Sequence, residues 1–410
     1  MEQRQTCCIA GGGPAGMMLG VLLARAGVDV LVLEKHKDFL RDFRGDTIHP
    51  STLQMMDELG WLDEFLRLPH QKVTKLTGQF GDTPLTIADL SHLPVKAKYI
   101  ALMPQWDFLD FLARKGRAYP SFHLMMNAEA LGLISEDGHV TGVEARTPEG
   151  PLTVRADLVV AADGRSSVLR KAAGFISEDY GAPMDVMWFR LPRRETDTED
   201  TQARFEAGHL FIMLQRGDYW QCAYVIPKGG DAEVRKKGLD AFRRSVGALL
   251  PFDAARANDI PDWDHVKLLT VTVDRLKEWA RPGFLCIGDA AHAMSPVGGV
   301  GINLAVQDAV AAANVLWQPL KEKRLSFDDL KKVQARRDFP TRATQRLQLT
   351  MQNSIIAPTL AATGKIKPPL LLRLLTSLPL ISRIPARLLA LGFRPEHISQ
   401  AIRDGGRTVT

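Results

Sequence analysis

The chain has 410 residues, of which 45% are hydrophobic and 24% charged, a globular composition that excludes extended disorder and predicts about two or three lobes. The formal net charge of +5 is small, and Lys and Arg are scattered among acids, which argues against nucleic-acid binding.

The cysteines and the N-terminus bear on the compartment. Four cysteines fit buried reduced thiols better than a disulfide framework or a metal site: Cys7, Cys8, Cys222 and Cys286. We therefore expect a cytoplasmic protein without a metal. The N-terminus lacks a basic region, a cleavage site and a continuous apolar stretch of about 18 residues, so neither secretion nor a membrane span is predicted. Peripheral membrane contact stays open.

The first predicted element is a short apolar strand in QTCCIAGGGPAG, which is followed by Gly11, Gly13 and Gly16 at the spacing G-x-G-x-x-G. An apolar helix follows and ends near Gly27, and the next strand ends in Glu34. This order predicts a βαβ dinucleotide site, because glycines permit close approach, the helix start faces the pyrophosphate and the acid accepts from ribose. The turn alone does not distinguish NAD from FAD, although the acid argues against a 2′-phosphate.

A second strand-and-turn pattern follows a β-rich region, in ADLVVAADGRSSVLRKAAG at residues 156–174. Its apolar strand ends at Asp163 and Gly164, and Ser167 and Arg170 lie on the next turn or helix. Taken alone, the pattern also fits an ordinary strand, turn and helix with an Asp N-cap.

Alternating apolar segments in residues 181–265 predict a mainly β region. HLFIMLQRGDYWQCAYVIP indicates two strands joined by the turn Arg-Gly-Asp. A stripe of large side chains is expected inside it, mostly as sheet packing but with some members above a pocket: Trp188, Phe211, Met213, Trp220 and Tyr224.

The third pattern is FLCIGDAAHAMSPVGGVGIN at residues 284–303, an apolar strand that ends in Asp289 and leads through glycines into a helix. Beyond residue 345, a Leu- and Arg-rich stretch, broken by prolines, predicts short helices packed on the main body. The alternative for that stretch is a basic amphipathic patch that touches a membrane or a lipophilic substrate.

The segments 11–16, 163–170 and 286–303 resemble, in order and spacing, the motifs of the single-component FAD monooxygenases of the para-hydroxybenzoate hydroxylase type, which include ubiquinone-pathway hydroxylases. The resemblance covers most of the first 340 residues. It implies an α/β fold with a Rossmann-like FAD-binding domain, an inserted mainly β substrate domain and C-terminal helices. It also implies FAD as cofactor and NADH or NADPH as a transient reductant, since no second G-x-G-x-x-G follows a strand.

The resemblance also implies roles for single residues. Glu34 would hold the adenosine ribose, Asp289 a ribityl hydroxyl, and Asp163 would lie near the pyrophosphate in a motif tied to nicotinamide-nucleotide use. Arg44 and Gln105 look like the family's FAD-contacting arginine and glutamine, although a surface arginine and an exposed first-turn residue are the alternatives. The predicted cofactor set is Gly11, Gly13, Pro14, Ala15, Gly16, Glu34, Lys35, Arg44, Gln105, Asp163, Gly288, Asp289, Gly299, Val300, Gly301, Ile302 and Asn303.

The implied reaction places negative charge on reduced flavin, which a helix start stabilises without a titratable group. Pro296, Gly298 and Gly299 are therefore predicted as the catalytic backbone environment of the ring. After reduction, O2 would form a flavin C4a-hydroperoxide that hydroxylates an aromatic or polyketide-like apolar substrate. His292 is predicted to be structural. The alternatives are an FAD-dependent reductase or dehydrogenase of an isoprenoid or other apolar substrate, and a flavin-binding regulator without turnover.

The predicted FAD-binding domain is discontinuous, because its motifs must converge on one ligand. Its parts are 1–72, 100–180 and 266–345, the substrate domain comprises 73–99 and 181–265, and residues 346–410 form the C-terminal helical region. The expected partners are a small apolar molecule and O2, and the protein is expected to be a monomer or a homodimer.

Overall fold

The computed structural model describes residues 1–40, 47–197, 201–370, 373 and 383–406. Its strands, in chain order, are β1 Glu2–Ala10, β2 Val30–Glu34, β3 Thr47–Ile48, β4 Gln71–Val73, β5 Lys75–Phe80, β6 Thr83–Asp89, β7 Ile100–Leu102, β8 Phe122–Met126, β9 Glu129–Glu136, β10 His139–Thr147, β11 Gly150–Ala161, β12 Ser177–Asp179, β13 Met184–Pro192, β14 Gln202–Glu206, β15 His209–Gln215, β16 Tyr219–Pro227, β17 Lys267–Leu269, β18 Asp274–Leu276, β19 Ala280–Arg281, β20 Phe284–Cys286 and β21 His292–Ala293. Its α-helices are α1 Pro14–Arg25, α2 Pro50–Glu58, α3 Leu62–Phe65, α4 Gln105–Gly116, α5 Val168–Ala172, α6 Asp231–Lys236, α7 Leu239–Gly247, α8 Gly301–Lys321, α9 Phe327–Met351, α10 Ala357–Ala361, α11 Arg383–Leu391 and α12 Gln400–Arg403.

A central sheet brings the predicted motifs to one edge. Its strand order is β19-β20-β11-β1-β2-β8, and β20, β11, β1, β2 and β8 run parallel. Ala10 lies opposite both Ala161 and Leu33, and Ala161 lies opposite Cys286. The ends of four neighbouring strands therefore lie in one row, where open α/β sheets bind their ligands. The predicted α/β fold with a Rossmann-like domain is confirmed.

Helix α8 has the apolar character of a core element. Among the described residues, Val297–Lys321 is long enough for a membrane span and contains an 18-residue window with a mean hydropathy of 1.3, but 72% of that window is buried within the fold. Its side chains pack in the same core as α1 and the central strands. A helix that packs inside a core is apolar over most of its surface because protein covers it.

The second sheet has the order β17-β13-β16-β15-β14-β5-β6. The predicted hairpin is confirmed, since β15 and β16 pair antiparallel on either side of the turn at residues 216–218. Most strands of this sheet come from the segments assigned above to the substrate domain, while the exact domain boundaries stay a prediction.

The two faces of the second sheet have different surroundings. One face packs against α7 and carries four members of the predicted stripe: Phe211, Met213, Trp220 and Tyr224. Sheet packing is thus the role of these four. Trp188 lies opposite Ala223 in the pairing of β13 with β16, which points its indole to the other face, where it packs against a cluster that also contacts Val297. Trp188 and the other four members of the stripe therefore lie on opposite faces of the sheet.

Helix α9 begins with a capping box, in which Ser326 and Asp329 accept each other's backbone N–H groups. Glutamines further along the chain hold residues 295–300, which we call the second glycine loop. Gln348 accepts the Ser295 N–H (3.2 Å) and donates to the carbonyls of Ser295 (2.9 Å) and Val297 (2.8 Å). Gln352, in the π-helical turn that follows α9, donates to the Ser295 hydroxyl (2.5 Å).

Helix α11, in the C-terminal region, contacts the rest of the fold through His49, the residue before α2. The fully buried His49 ring contacts the Leu389 carbonyl through Nδ1 (2.9 Å), and because a carbonyl only accepts, Nδ1 carries the hydrogen. Burial lowers the pKa of His49 to about 4, against the carbonyls of Leu389 and Gly298, which favour the protonated ring. His49 is thus neutral at physiological pH.

Replacement of His49 by Asn tests this attachment. The native ring resists protonation while the unfolded chain takes up a proton, so stability falls as the pH drops from the ordinary value of 6.5 towards about 4. Over this window the wild-type protein should lose about 3 kcal/mol more unfolding free energy than His49→Asn. Chemical denaturation across the pH series measures the difference, with the exposed His139→Asn as a control that should follow wild type. Equal acid sensitivity of His49→Asn and wild type would contradict the assignment.

Candidate functional site

The first glycine turn, residues 11–16, approaches two neighbouring pieces of backbone too closely for a side chain. Gly11 has a φ of +108°, and a Cβ there would lie 2.3 Å from the Ala162 carbonyl oxygen. A Cβ on Gly16 would lie 1.9 Å from the Gly11 carbonyl oxygen. The glycines at these two positions are therefore required by the packing of the turn against β11 and against itself.

Gly13 is different, because no heavy atom of the protein lies within 4 Å of the position its Cβ would occupy. It is the N-cap of α1, and Pro14 follows at the first helical position. The first turn of α1 has no side-chain cap and no acidic residue. Unpaired N–H groups and a positive dipole end thus face open space, and a pyrophosphate fits both the charge and the room.

Glu34 stands beside this turn at the end of β2 and is largely buried. Its carboxylate accepts the backbone N–H groups of Gly12 (2.9 Å) and His36 (3.0 Å). The carboxylate is thus fixed next to the turn at the place where a ribose is expected. Lys35, one residue further, points to solvent.

The second motif begins at Asp163, next to Gly11. The Asp163 carboxylate accepts the N–H of Val168 (2.9 Å), and burial raises its pKa despite the hydrogen bonds it receives from Ser167 and nearby backbone groups. Arg170 extends from α5 to the third motif, where it donates to the Ala290 carbonyl (3.3 Å). Both motifs are thus joined directly.

The third motif presents Asp289 at the same edge. Its carboxylate is about one third exposed and lies 3.5 Å from the Arg165 guanidinium. Gly288, with a φ of +58°, packs against Ala15 of the first turn. Asp289 is therefore held next to the start of α1 with its carboxylate directed outward, which suits an acceptor for a sugar-like hydroxyl.

The second glycine loop approaches strand β3. The Thr47 hydroxyl donates to the Gly299 carbonyl (2.8 Å), and a Cβ on Gly299, whose φ is +62°, would lie 2.4 Å from the Thr47 oxygen. Within the loop, Pro296 precedes the glycines, and Val300 is the N-cap of α8, whose first turn lacks a side-chain cap and an acid. At Gly301 a Cβ would meet nothing within 4 Å. A second uncapped helix start thus faces open space.

Asn303 and Ile302, the next predicted cofactor residues, are buried. The Asn303 carbonyl oxygen accepts from the His49 N–H (2.8 Å) and the Thr52 hydroxyl (2.7 Å), and its amide donates to the Thr47 and Gly299 carbonyls. This side chain holds the loop against β3 and α2. The predicted contact of Asn303 with the cofactor would therefore be made by its backbone.

Two further predicted residues, Gln105 and Arg44, complete the set. Gln105 is the first residue of α4 and is partly exposed. Arg44 lies outside the described residues. The other predicted residues converge on the edge formed by β20, β11, β1 and β2 and on the start of α8.

A buried network that the sequence did not identify lies beneath Asp289. Asp308 accepts the Gly288 N–H (3.1 Å), His292 Nε2 (2.6 Å) and Arg337 Nε (2.8 Å). Burial raises the pKa of Asp308, but the charges of His292 and Arg337 outweigh burial and the net direction is downward. The signal in the sequence was an acid inside the apolar run LAVQDAVAAANVL, where an unpaired carboxylate is costly.

Metal and thiol chemistry are not indicated at this edge. Among residues 1–40, 47–197, 201–370, 373 and 383–406, no group of three or more His, Cys, Asp or Glu is placed to hold a metal ion. The four cysteines are buried and free, and burial raises the pKa of Cys8 to about 12. Thiols of this kind are unreactive.

The chain is similar to known proteins over most of its length. The family described as FAD binding domain matches residues 4–346. A 6-methylpretetramide 4-monooxygenase from Streptomyces rimosus is 32% identical over 92% of this chain and 89% of its own, and a para-nitrophenol 4-monooxygenase from Pseudomonas sp. strain WBC-3 is 26% identical over 78% and 80%. The crystallised anhydrotetracycline hydroxylase OxyS from Streptomyces rimosus shares the fold with a TM-score of 0.76 at 22% identity, covering 97% of this chain and 78% of that one.

Replacement of Gly13 by Ala tests the open helix start. Because Gly13 has an ordinary φ of −75° and nothing nearby to clash with, the apoprotein should lose at most about 1 kcal/mol of stability. FAD affinity should fall at least about tenfold, since the new methyl group occupies the space of the pyrophosphate. Titration of apoprotein with FAD measures this, and Gly364→Ala, equally open but remote, is the control. Unchanged affinity in Gly13→Ala would refute the placement.

Replacement of Asp289 by Ala should give soluble protein that loses most of its FAD. A charged hydrogen bond to a ribityl hydroxyl contributes about 1.5–3 kcal/mol, which corresponds to roughly tenfold to a hundredfold in affinity. The flavin absorbance of desalted protein reports retention, and Asp218→Ala in the exposed hairpin turn is the matched control. If Asp289→Ala kept all of its yellow cofactor, the assignment would be wrong.

Proposed function

The chain belongs to the FAD binding domain family, the para-hydroxybenzoate hydroxylase-like flavoprotein monooxygenases, and from this premise we propose that it hydroxylates an aromatic or polyketide-like apolar substrate with NADH or NADPH and O2. FAD is its cofactor. The names of the relatives support the substrate class, because 6-methylpretetramide, para-nitrophenol and anhydrotetracycline are aromatic molecules.

One observation carries the proposal for this chain. The second glycine loop, which begins a helix without a side-chain cap, packs on the side of the second sheet opposite α7, which Ile356 and Leu360 cover in part. Trp188 and Ile212 of that side are only partly buried and pack against the same cluster as Val297 of the loop. An apolar ring system between sheet and loop would thus lie next to the predicted flavin position in surroundings that exclude water.

The residues of the chain would hold the cofactor and control its surroundings. The start of α1 would bind the pyrophosphate, Glu34 the ribose and Asp289 the ribityl chain, and the start of α8 would stabilise negative charge on the ring through backbone N–H groups. Bound FAD supplies the oxygen chemistry, for which we propose the C4a-hydroperoxide route. Pro296, Gly298 and Gly299 would form the backbone wall beside the reacting atoms.

The same premise bears on location and domain division. We propose a cytoplasmic enzyme. We also propose that its FAD-binding domain is divided among 1–72, 100–180 and 266–345 and its substrate domain among 73–99 and 181–265. The central sheet and the second sheet, each assembled from separate parts of the chain, support this division.

Steady-state oxidation of NADH and NADPH, with O2 uptake and mass spectrometry of the product, tests the activity. Para-nitrophenol and alizarin, a planar three-ring dihydroxyanthraquinone, serve as aromatic probes. We expect at least one probe to accelerate reductant oxidation and to leave a product heavier by one oxygen atom, with label from ¹⁸O2. FAD-depleted Asp289→Ala is the negative control. Turnover that proceeds without O2 would favour a reductase, and failure of both reductants to reduce the flavin would favour a binding protein without turnover.

A further inference from the structure

Helix α11 lies beyond residues 4–346, the part that matches the family, yet it contacts the second glycine loop. A Cβ on Gly298 would lie 2.7 Å from Cδ1 of Leu389, so the leucine methyl group packs directly on the glycine backbone. The carbonyl of the same leucine accepts from His49 (2.9 Å). Leu389 is therefore located against the loop by both its side chain and its backbone.

Leu389 also reaches the second sheet. Its neighbours Ala386, Ala390 and Leu391 are buried in a cluster with residues of β6 and β7, whereas Leu389 itself is only partly buried. Leu214 of β15 is partly buried against the same cluster. Leu389 thus contacts the second glycine loop and packs against the same cluster as Leu214 of the second sheet, and part of its surface stays accessible.

The position of α11 is fixed by polar contacts at its end. Gln307 of α8 donates to the Leu391 carbonyl (3.5 Å) and accepts the Glu396 N–H (3.2 Å). Glu396 in turn pairs with Arg336 of α9 (2.6 Å). A side chain on a helix held in this way keeps one position, which a residue that discriminates between substrates by shape requires.

We propose that Leu389 is a specificity-determining residue: it packs on Gly298, and its accessible part limits the size of the ring system that reaches the flavin face. The proposal rests on the proposed function, because it assumes that the substrate lies between the second sheet and the second glycine loop. It assigns part of the substrate site to the Leu- and Arg-rich C-terminal region rather than to the sheet alone.

Substitutions of Leu389 that change its size, with a matched pair on the exposed side of α11, test the proposal. Leu389→Trp should weaken binding of alizarin about tenfold or more and leave para-nitrophenol within about threefold of wild type, while Leu389→Ala should bind alizarin at least as well as wild type. Ile384→Trp and Ile384→Ala should match wild type, since Ile384 is 58% exposed. Perturbation of the bound-flavin absorbance gives the dissociation constants, and thermal unfolding verifies the fold. Alizarin affinity equal in wild type and both Leu389 variants would overturn the proposal.

A readout without substrate separates this proposal from the proposed function. With the flavin ring beside the second glycine loop, as the proposal requires, an indole at residue 389 would lie close enough to quench flavin emission by electron transfer. FAD bound to Leu389→Trp should therefore fluoresce less than FAD bound to Ile384→Trp. Equal emission from the two variants would overturn the proposal itself, whatever the enzyme oxidises. Reduced emission, together with no product from any aromatic probe, would leave Leu389 at the flavin and count against hydroxylation alone.

Discussion

The structure depends on the parallel register of four neighbouring strands. Because Ala10 lies opposite Ala161 and Ala161 opposite Cys286, the turns that follow β1, β11 and β20 leave the sheet side by side. If one of these strands were shifted along its neighbour, the glycine turn would be separated from Asp163 and Asp289. The tight contact of Gly11 with the Ala162 carbonyl is the local expression of the same constraint, since a side chain there would force β1 and β11 apart.

Turns rich in glycine have few side chains with which to hold themselves, and here neighbouring helices hold them instead. Asp308 of α8 accepts the Gly288 N–H. Gln348 of α9 binds the backbone N–H and carbonyl of Ser295. Asn303 donates to the carbonyls of Thr47 and Gly299. Each of these polar side chains is buried and hydrogen-bonded. Such bonds are modest in net energy but costly to leave unmade, so they specify one backbone path for the loops.

The same loops leave two helix starts, those of α1 and α8, without caps. In most helices a side chain or an acid in the first turn satisfies the free N–H groups. Here the free N–H groups face open space at Gly13 and Gly301, and FAD, the cofactor of the family, carries anionic groups suited to both. These two helix starts thus leave polar groups and room where the cofactor is proposed to bind.

Sequence alone determined the fold class and the cofactor, because these depend on local patterns: apolar strands that end in an acid, glycines at fixed spacing and helices that follow. The cofactor-binding residues that the same patterns indicate stay predictions. The sequence identified neither Asp308 nor His49 and Leu389, whose roles come from contacts between segments far apart in the chain. It also left open which members of the predicted stripe share a face, since alternation along each strand fixes two faces but not which strands share them. Only the tertiary structure decided the pairing of β13 with β16, and with it which side chains face the second glycine loop.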